Sequence, residues 1–501
     1  MTENIQTTLS SNEEYLRLEK RTAMIHAGQN PYAHTYDKTH AIKDILETYA
    51  YLEGEATSDE TVSVAGRIMA KRGHGKATFG NLMDESGSLQ YYAKMDSLGE
   101  EAYTELLHFD IGDIIGIKGT LFRSQKGELT LRVQSATLLT KALHPLPEKF
   151  HGLQDKELRY RQRYVDLIAN QSVKETFKSR SQILLQIREF LAQRGFIEVE
   201  TPVLHAIYGG AAARPFKTFH NELDQSLYLR IALELHLKRL IVGGFEKIFE
   251  IGRVFRNEGV SFKHNPEYTL LELYQAYADY TDVMELTETL LSELVKAKTG
   301  SYTLVYQDRE IDFTPPFRRL TLADSLKEYA NVDIEAPIET LREIAKTHGL
   351  DVSQKPLRGQ LIQFIYDKTV EDHLIAPTFI LDYPWETSPL AKRKRDNSEL
   401  VERFELIVAG MEIANAFSEL NDPVDQYDRF LDQIKAKDAG FEDAHEMDED
   451  FVHALKYGMP PTGGLGIGID RVVMLLTDSP SIRDVIFFPH MKQHLSQTKE
   501  P

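Results

Sequence analysis

The sequence predicts a multidomain chain in which a small all-β barrel precedes a larger domain of mixed helices and strands. Three observations carry that expectation. At 501 residues the chain exceeds what one ordinary core serves, so two or three domains are expected. Between Thr61 and Pro145, apolar and polar residues alternate in short runs punctuated by glycine. In the second half, three strand-like clusters are interrupted by charged, aromatic and glycine residues that a plain hairpin has no use for. The expected divisions are a helical extension over 1–60, the barrel over 61–145, a connector over 146–180 and the large domain over 181–501.

Bulk composition narrows the function classes. Hydrophobic residues make up 42% of the chain, ample for globular packing. No run approaches the roughly 18 apolar residues of a membrane span, and the opening MTENIQTTLSSNEEYLRLEK lacks a secretory apolar stretch. A soluble, cytoplasmic protein without membrane contact is expected. The absence of cysteine excludes disulfides and thiolate metal sites. The net charge of −19 argues against indiscriminate nucleic-acid binding over the whole surface. The stretch Thr61 to Pro145 is different, with ten basic against nine acidic residues, and a local nucleic-acid site belongs there.

Taken in order, a first amphipathic helix has Ser11 as its expected N-cap, Glu13 and Glu14 in its first turn and Gly28 beyond its end. The runs TVSVAGRIMA, KATFGNLMD and SLQYYAKM read as three strands, GEEAYTELLHF as a helix, and DIIGIKGTLFRS and ELTLRVQSATLL as two more strands. That succession is the order of a five-stranded OB-type barrel, a fold that holds single-stranded bases against aromatic side chains with flanking cations. Arg72, Phe79, Gln90 and Glu128 fall on or beside these strands and could stack on bases and bond their edges. A plainer reading, with Phe79 in the core and the polar residues merely solvated, is equally compatible with the spacing.

The two prolines and basic tail of KALHPLPEKFHGLQDKELRYRQRY suit a connector. SRSQILLQIREFLAQRG then reads as a helix closed by Gly195, and FIEVETP as an edge or interface strand limited by Pro202. Residues 315–375 read as mostly helical, and FEDAHEMDED as a solvated acidic surface.

The first of the three clusters is VFRNEGVSFKHNPEYTLLELYQAY. Alternation puts Tyr268, Leu270, Glu272 and Tyr274 on one strand face and Thr269, Leu271 and Leu273 on the other, so one face packs and the other binds. Arg256 and Glu258 share parity on the preceding strand, which sets a guanidinium fork near carboxylates, either for a ligand or as a self-satisfied structural salt-bridge network. The second cluster, ERFELIVAGMEIANAFSELND, reads as two strands about a turn at Ala409 and Gly410, with Asn415, Phe417 and Glu419 on one face. Glu405 and Glu412 flank that turn and suit Mg²⁺ carried with phosphates. Glu412 has the opposite parity to Glu419, so a bulge or a twist between them is required if both face one ligand. The third, TGGLGIGIDRVVMLL, alternates Gly464, Gly466 and Gly468 along a strand that runs into a helix bearing Arg471. Bare glycines admit a flat ring or another backbone; tight packing would use them equally well.

GFIEVETPVL, FRNE with HNPEYTLLELY, and GLGIGIDR resemble, in order, motifs 1, 2 and 3 of the class II aminoacyl-tRNA synthetases. YGGAAARPF, LRIALELHLKRLIVGG, SPLAK, ANAFSELNDP and KALHPLPEKFHGLQDKELRYRQRYVDLI narrow the resemblance to the bacterial-type class II lysyl-tRNA synthetases, over about Glu13 to Met491. The resemblance implies an anticodon-reading OB barrel joined to an α+β catalytic domain on a mainly antiparallel sheet. It implies two steps, in which ATP and L-lysine give lysyl-adenylate and the lysyl group then passes to tRNA(Lys).

Carried over by position, the resemblance makes Arg256 and Arg471 catalytic, and gives ATP to Arg256, Glu258, His264, Asn265, Tyr268 and Arg471. Arg256 and Asn415 would take the lysine carboxylate, Gly210 and Glu234 the α-ammonium, and Glu419 with Glu272 and Tyr274 the ε-ammonium, while Phe417 walls the methylene stem. Tyr268 would stack on adenine opposite Arg471, although that family more often has Phe at this position. Glu405 and Glu412 would hold Mg²⁺, and Arg72, Phe79, Gln90 and Glu128 would read a U-rich anticodon. Motif 1 implies a homodimer. The competing expectations are an aspartyl- or asparaginyl-type enzyme, a ligase that attaches lysine to a protein, and a non-catalytic nucleic-acid-binding paralogue.

Overall fold

The computed structural model describes residues 12–53, 56–147, 155–353, 356–438 and 446–492. The chain divides into two compact units, Met1–Gln154 and Asp155–Pro501. The cap expected at Ser11 lies outside the described residues, as does Phe441 to His445 of the acidic patch.

In the first unit the helix Asn12–His26 carries Glu13 and Glu14 in its first turn and ends before Gly28, whose φ is +77°. Its Arg17 is buried and donates from Nη1 to the Ile111 carbonyl at 3.0 Å. A second helix, Ile42–Thr48, buries Ile42 and Ile45 in the same core as Val62, Tyr91, Ile115 and Leu131. The described part of the N-terminal extension is thus packed into the barrel unit.

The strands of that unit are β1 (Val62–His74), β2 (Ala77–Met83), β3 (Ser88–Lys94), β4 (Ile114–Arg123) and β5 (Leu129–Thr140), with the helix Glu100–His108 between β3 and β4. They close in the order β1-β2-β3-β5-β4. All pairs are antiparallel except β3 with β5. This is the expected five-stranded barrel, with the helix where the sequence puts it.

The second unit opens with helices Lys156–Arg161, Arg163–Ala169 and Gln171–Ala192. The expectation of a connector over 146–180 is corrected here, because the chain is helical from Lys156 and belongs to this unit. The cause is burial of charge that looked solvated. Arg163 and Asp166 are 1% and 0% exposed and pair at 2.6 Å. Arg163 also donates to the Arg483 carbonyl at 2.8 Å, and Tyr160 donates to Asp484 at 3.0 Å. Those acceptors lie more than 300 residues away in sequence, out of reach of any local pattern.

The remaining strands are β6 (Ile197–Glu198), β7 (Leu204–His205), β8 (Lys217–His220), β9 (Gln225–Leu229), β10 (Lys247–Phe255), β11 (Glu267–Ala276), β12 (Thr303–Tyr306), β13 (Arg309–Asp312), β14 (Arg318–Thr321), β15 (Thr378–Pro384), β16 (Leu400–Val408), β17 (Met411–Ser418) and β18 (Thr462–Gly468). Eight of them form one sheet in the order β14-β15-β16-β17-β18-β11-β10-β6. Only its edge pairs, β14 with β15 and β10 with β6, are parallel. Leu271 and Leu273 of β11, with Leu465 and Ile467 of β18, pack against Ile187 and Leu191 of the helix Gln171–Ala192 and Leu290 and Leu294 of the helix Tyr280–Thr299. That packing leaves the other sheet face to Tyr268, Leu270, Glu272 and Tyr274, as alternation requires. Helices Leu322–Ala330, Ile338–Thr347 and Arg358–Thr369 form a satellite core on Ile380 and Ile407, which accounts for the helical pattern over 315–375. Among the described residues no helix is long and apolar enough to cross a membrane.

Candidate active site

A cavity of about 450 Å³ opens on the free sheet face and is lined from all three sequence clusters. It has the volume of a small-molecule site. β11 contributes Tyr268, Leu270, Glu272 and Tyr274; β17 contributes Asn415 and Phe417, with Glu419 just beyond; β18 contributes Gly464, Gly466 and Gly468. Register fixes their neighbourhood, since Glu272 lies opposite Gly466, Tyr274 opposite Gly464, and Phe417 opposite Gly464 on the other side.

Arg256 also lines this cavity, though not from a shared strand. β10 ends at Phe255, so the parity expected between Arg256 and Glu258 is corrected; both lie in a loop closed by the Arg256 N–H on the Pro266 carbonyl at 2.8 Å. The Arg256 guanidinium stands 5.5 Å from the Tyr268 ring centre and reaches the Ile231 carbonyl with Nε at 3.4 Å. Burial alone would lower its pKa, but Tyr268, Glu258, Glu412 and Glu272 raise it, so the group is a fixed positive charge. Asn265 is buried and donates to the Glu267 carbonyl at 2.6 Å, while its Oδ1 accepts nothing among the described residues. A buried acceptor left open is costly unless a ligand satisfies it. His264 sits between Ser261 Oγ, 2.8 Å away, and Arg471 Nη2, 3.3 Å away. Its pKa is pushed down to about 4 by burial and by the Arg471 charge, so the ring is neutral at pH 7.

Of the bulge or twist expected between Glu412 and Glu419, the structure has a bulge. Across β16 and β17 the register runs Leu406 with Ala414 and then Ile407 with Glu412, which leaves Ile413 as the extra residue. The slip turns Glu412 to the side occupied by Asn415 and Phe417, and both Glu405 and Glu412 line the cavity. Burial pushes the Glu405 carboxyl up to about 8; Arg403 opposes that rise, and Glu412 and Asp367 add to it. Such crowded negative charge is what a divalent cation offsets. Among the described residues no three His, Asp or Glu side chains form a complete cage, so the pair fits an ion that brings phosphate and water ligands of its own. Arg471 donates to the Glu412 carbonyl and lies 3.4 Å from its carboxylate.

The acidic end of the cavity is the most deeply buried. Glu234, Glu272 and Glu419 are 6%, 5% and 1% exposed. Glu272 accepts from the Leu233 N–H at 3.0 Å and from Tyr274 OH at 3.1 Å. Burial, then the Glu234 charge, pushes its pKa up to about 7. Gly210 adopts φ +88°, and a Cβ there would come within 3.0 Å of Ala232 and 3.2 Å of Glu234, so glycine is what lets its backbone lie beside Glu234. A Cβ at Gly464 would overlap the Glu419 carboxylate and the Tyr274 ring. Of the two uses foreseen for the bare glycines, close approach of a neighbour applies at 464, whereas Gly466 and Gly468 face open cavity.

Two side chains here escaped the sequence. Lys238, on the helix Glu234–Val242, is 0% exposed and bridges Glu234 Oε1 at 2.5 Å to Glu419 Oε2. The carboxylates assigned by resemblance to opposite ends of a substrate thus meet on one internal ammonium. The signal was the i,i+4 spacing of Glu234 and Lys238. Arg403 bonds Asn415 Oδ1 at 3.1 Å, Ser388 Oγ at 2.9 Å and Glu405. Its shared parity with Glu405 on β16 would have found it.

On the barrel, Arg72, Phe79, Tyr92 and Arg132 form one row across β1, β2, β3 and β5. Phe79 is 37% exposed, which removes the reading of it as core. Its ring lies 4.6 Å from Tyr92, Tyr92 lies 6.0 Å from Phe122, and Arg132 covers Phe122 at 4.6 Å. Sequence singled out only Arg72 and Phe79 of this ladder, because alternating aromatics in a strand read equally as core. Gln90, on β3 with Tyr92, donates to Glu128 at 2.7 Å.

Residues 155–492 match the family of tRNA synthetases class II (D, K and N), and residues 62–139 match the OB-fold nucleic acid binding domain. The chain is 54% identical to the lysine–tRNA ligase of Thermoanaerobacter sp. (strain X514), covering 98% of each chain. It is also 54% identical to that of Carboxydothermus hydrogenoformans, over 95% of this chain and 97% of the other, and to that of Thermotoga maritima, over 97% of each. Full-length identity of this order, with residues of the second and third expected motifs lining one cavity, places the chain in the lysine–tRNA ligase family of class II tRNA synthetases.

Proposed function

We propose that this protein activates L-lysine with ATP and transfers the lysyl group to tRNA(Lys). The observation that carries the reading is the burial of Glu234, Glu272 and Glu419 in the same cavity as Arg256. Three carboxylates out of water are costly without cations, and lysine supplies two ammonium groups together with a carboxylate for the guanidinium. Arg256 and Asn415 hold that carboxylate, and Arg256 reaches the α-phosphate of ATP, a task suited to a planar fork. Gly210 and Glu234 receive the α-ammonium, Glu419 with Glu272 and Tyr274 the ε-ammonium, and Phe417 flanks the stem. Tyr268 and Arg471 sandwich adenine, Glu258 takes its amine, and the neutral His264 and Asn265 meet the phosphates.

A lysine carboxylate oxygen attacks the α-phosphorus as the bond to pyrophosphate breaks, giving lysyl-adenylate; no enzyme side chain becomes acylated. Arg256 and Arg471 lower the barrier by holding the reactants in line and countering phosphate charge. Glu405 and Glu412 would hold Mg²⁺, which supplies further neutralisation of the phosphates when bound. The terminal adenosine of the tRNA then takes the lysyl group, and AMP leaves. The protein works in the cytoplasm as a homodimer, a reading supported by exposed Ile197, Val203 and Leu204 around the motif 1 strand.

ATP–pyrophosphate exchange measured with each of the twenty amino acids tests the assignment. Exchange with lysine alone is expected; exchange with aspartate or asparagine, or with none, would overturn it. The aspartyl-type alternative finds no support in a pocket whose side-chain end is carboxylate. Phe79→Ala is expected to cut tRNA charging about fivefold or more, the loss of one base stack at about 1–3 kcal/mol, while leaving lysine-dependent exchange nearly unchanged. Parallel loss of exchange would show that the barrel does not act on tRNA separately.

A further inference from the structure

Lys238 stands outside the set of side chains that line the cavity, yet its ammonium touches two that do. It lies one helical turn beyond Glu234, is fully buried, and has the Phe417 and Phe451 rings 5.4 and 5.9 Å away. Its ion pair with Glu419 is to Oε2, while Oε1 is buried beside Gly464 away from that ammonium, and neither oxygen accepts a conventional hydrogen bond among the described residues. One oxygen of Glu419 is therefore anchored from behind and the other is left open.

We infer that Lys238 is a specificity-determining positioning residue: a built-in counter-ion that holds Glu234 and Glu419 aimed into the pocket and favours their charged form, so that the site presents negative charge matched to a dicationic amino acid. The inference rests on the lysine-binding reading given above. Glu234 and Glu419 against the one Lys238 ammonium leave one negative charge, and Glu272, its carboxyl pushed up to about 7 by burial and the Glu234 charge, supplies a second as an ammonium group binds beside it. Titration of the pocket supports the same account. Burial raises the carboxyls of Glu234 and Glu419, Glu234 adds to the rise of Glu419, and Lys238 is the neighbour that opposes the rise at both. Glu272 faces the same space and adds its own repulsion to Glu419. Burial would lower the Lys238 pKa, but the charges of Glu234 and Glu419 raise it, so the ammonium persists. Without it, one carboxyl is expected to take up a proton and lose its hold on substrate.

The test is Lys238→Met in the full-length protein, assayed by exchange from pH 6 to 9. The lysine KM at pH 7 is expected to rise about tenfold or more, with kcat and the ATP KM within about twofold. Removing an opposite charge at this range raises a carboxyl pKa by about one to three units, so the pH midpoint of kcat/KM for lysine should move up by about one unit or more and activity should recover towards pH 9. Lys238→Arg, which keeps the charge, should leave the midpoint at the wild-type value. An unshifted midpoint in the methionine variant, or an equal upward shift in the arginine variant, overturns the inference; the arginine variant also decides the matter if the methionine variant does not fold. If Glu419→Gln likewise leaves the lysine KM untouched, the lysine-binding reading itself fails, and the two failures are thereby distinguished.

Discussion

Arg256→Ala is expected to lower kcat for lysine-dependent pyrophosphate exchange by about a thousandfold, the upper range for removing one preorganised donor from a developing anion. Three arginines line the cavity, and their commitments differ. Arg403 is spent on Asn415, Ser388 and Glu405, and Arg471 leans on Glu412 and His264. Among the described residues neither terminal nitrogen of Arg256 has a hydrogen-bond partner, and Nε makes only the long contact to Ile231. A charged fork without internal partners is available to substrate, and the surrounding Glu258, Glu272 and Glu412 keep it charged without pinning it. Arg256→Lys should recover less than about a tenth of the lost activity, because an ammonium cannot bridge carboxylate and phosphate in the plane of a guanidinium. Thermal melting within a few degrees of wild type separates this effect from unfolding. Retention of exchange to within tenfold by the alanine variant would remove Arg256 from the chemistry.

What could be read from the sequence, and what could not, divides along one physical line. Strand parity is local, and it correctly separated Leu271 and Leu273, which pack, from Glu272 and Tyr274, which line the cavity. It also called for a bulge or a twist between Glu412 and Glu419, two carboxylates of opposite parity, and the structure places a bulge at Ile413. The barrel was legible for the same reason, since five alternating runs and one helix leave few ways to close. Parity failed where the chain left the strand, at Arg256 and Glu258, since the end of β10 carries no mark of its own. Lys238 was missed because a lysine in HLKRL has the pattern of a solvated face. It is buried only by Phe417, Glu419 and Phe451, which come from about 180 to 210 positions further on. The helices from Lys156 were missed likewise, because carbonyls at the far end of the chain take the charge of Arg163. Side-chain identity announces a local face; whether a charge on that face is buried is decided by elements remote in sequence.

Glu419→Gln carries the second large effect. The amide keeps the size of the carboxylate, so the Gly464 floor and the neighbouring Tyr274 ring still fit it. What it removes is the charge opposite the ε-ammonium. Breaking one side of a buried ion pair costs about 3–5 kcal/mol, so kcat/KM for lysine should fall by at least about a hundredfold. Glu272 cannot replace it, since its two oxygens already accept from the Leu233 N–H and the Tyr274 hydroxyl, and burial with the Glu234 charge pushes it up to about 7. The ATP KM should stay within about twofold, because the nucleotide meets Arg256, Tyr268 and Arg471 on other elements. No other amino acid should gain from the change, for Glu234 and Lys238 remain and still disfavour an apolar side chain. Losses equal for ATP and lysine would instead mark Glu419 as a prop for β18, a role its contact with Gly464 could serve without any ligand. The ratio of the two KM changes, more than the size of either, therefore decides whether this carboxylate recognises substrate.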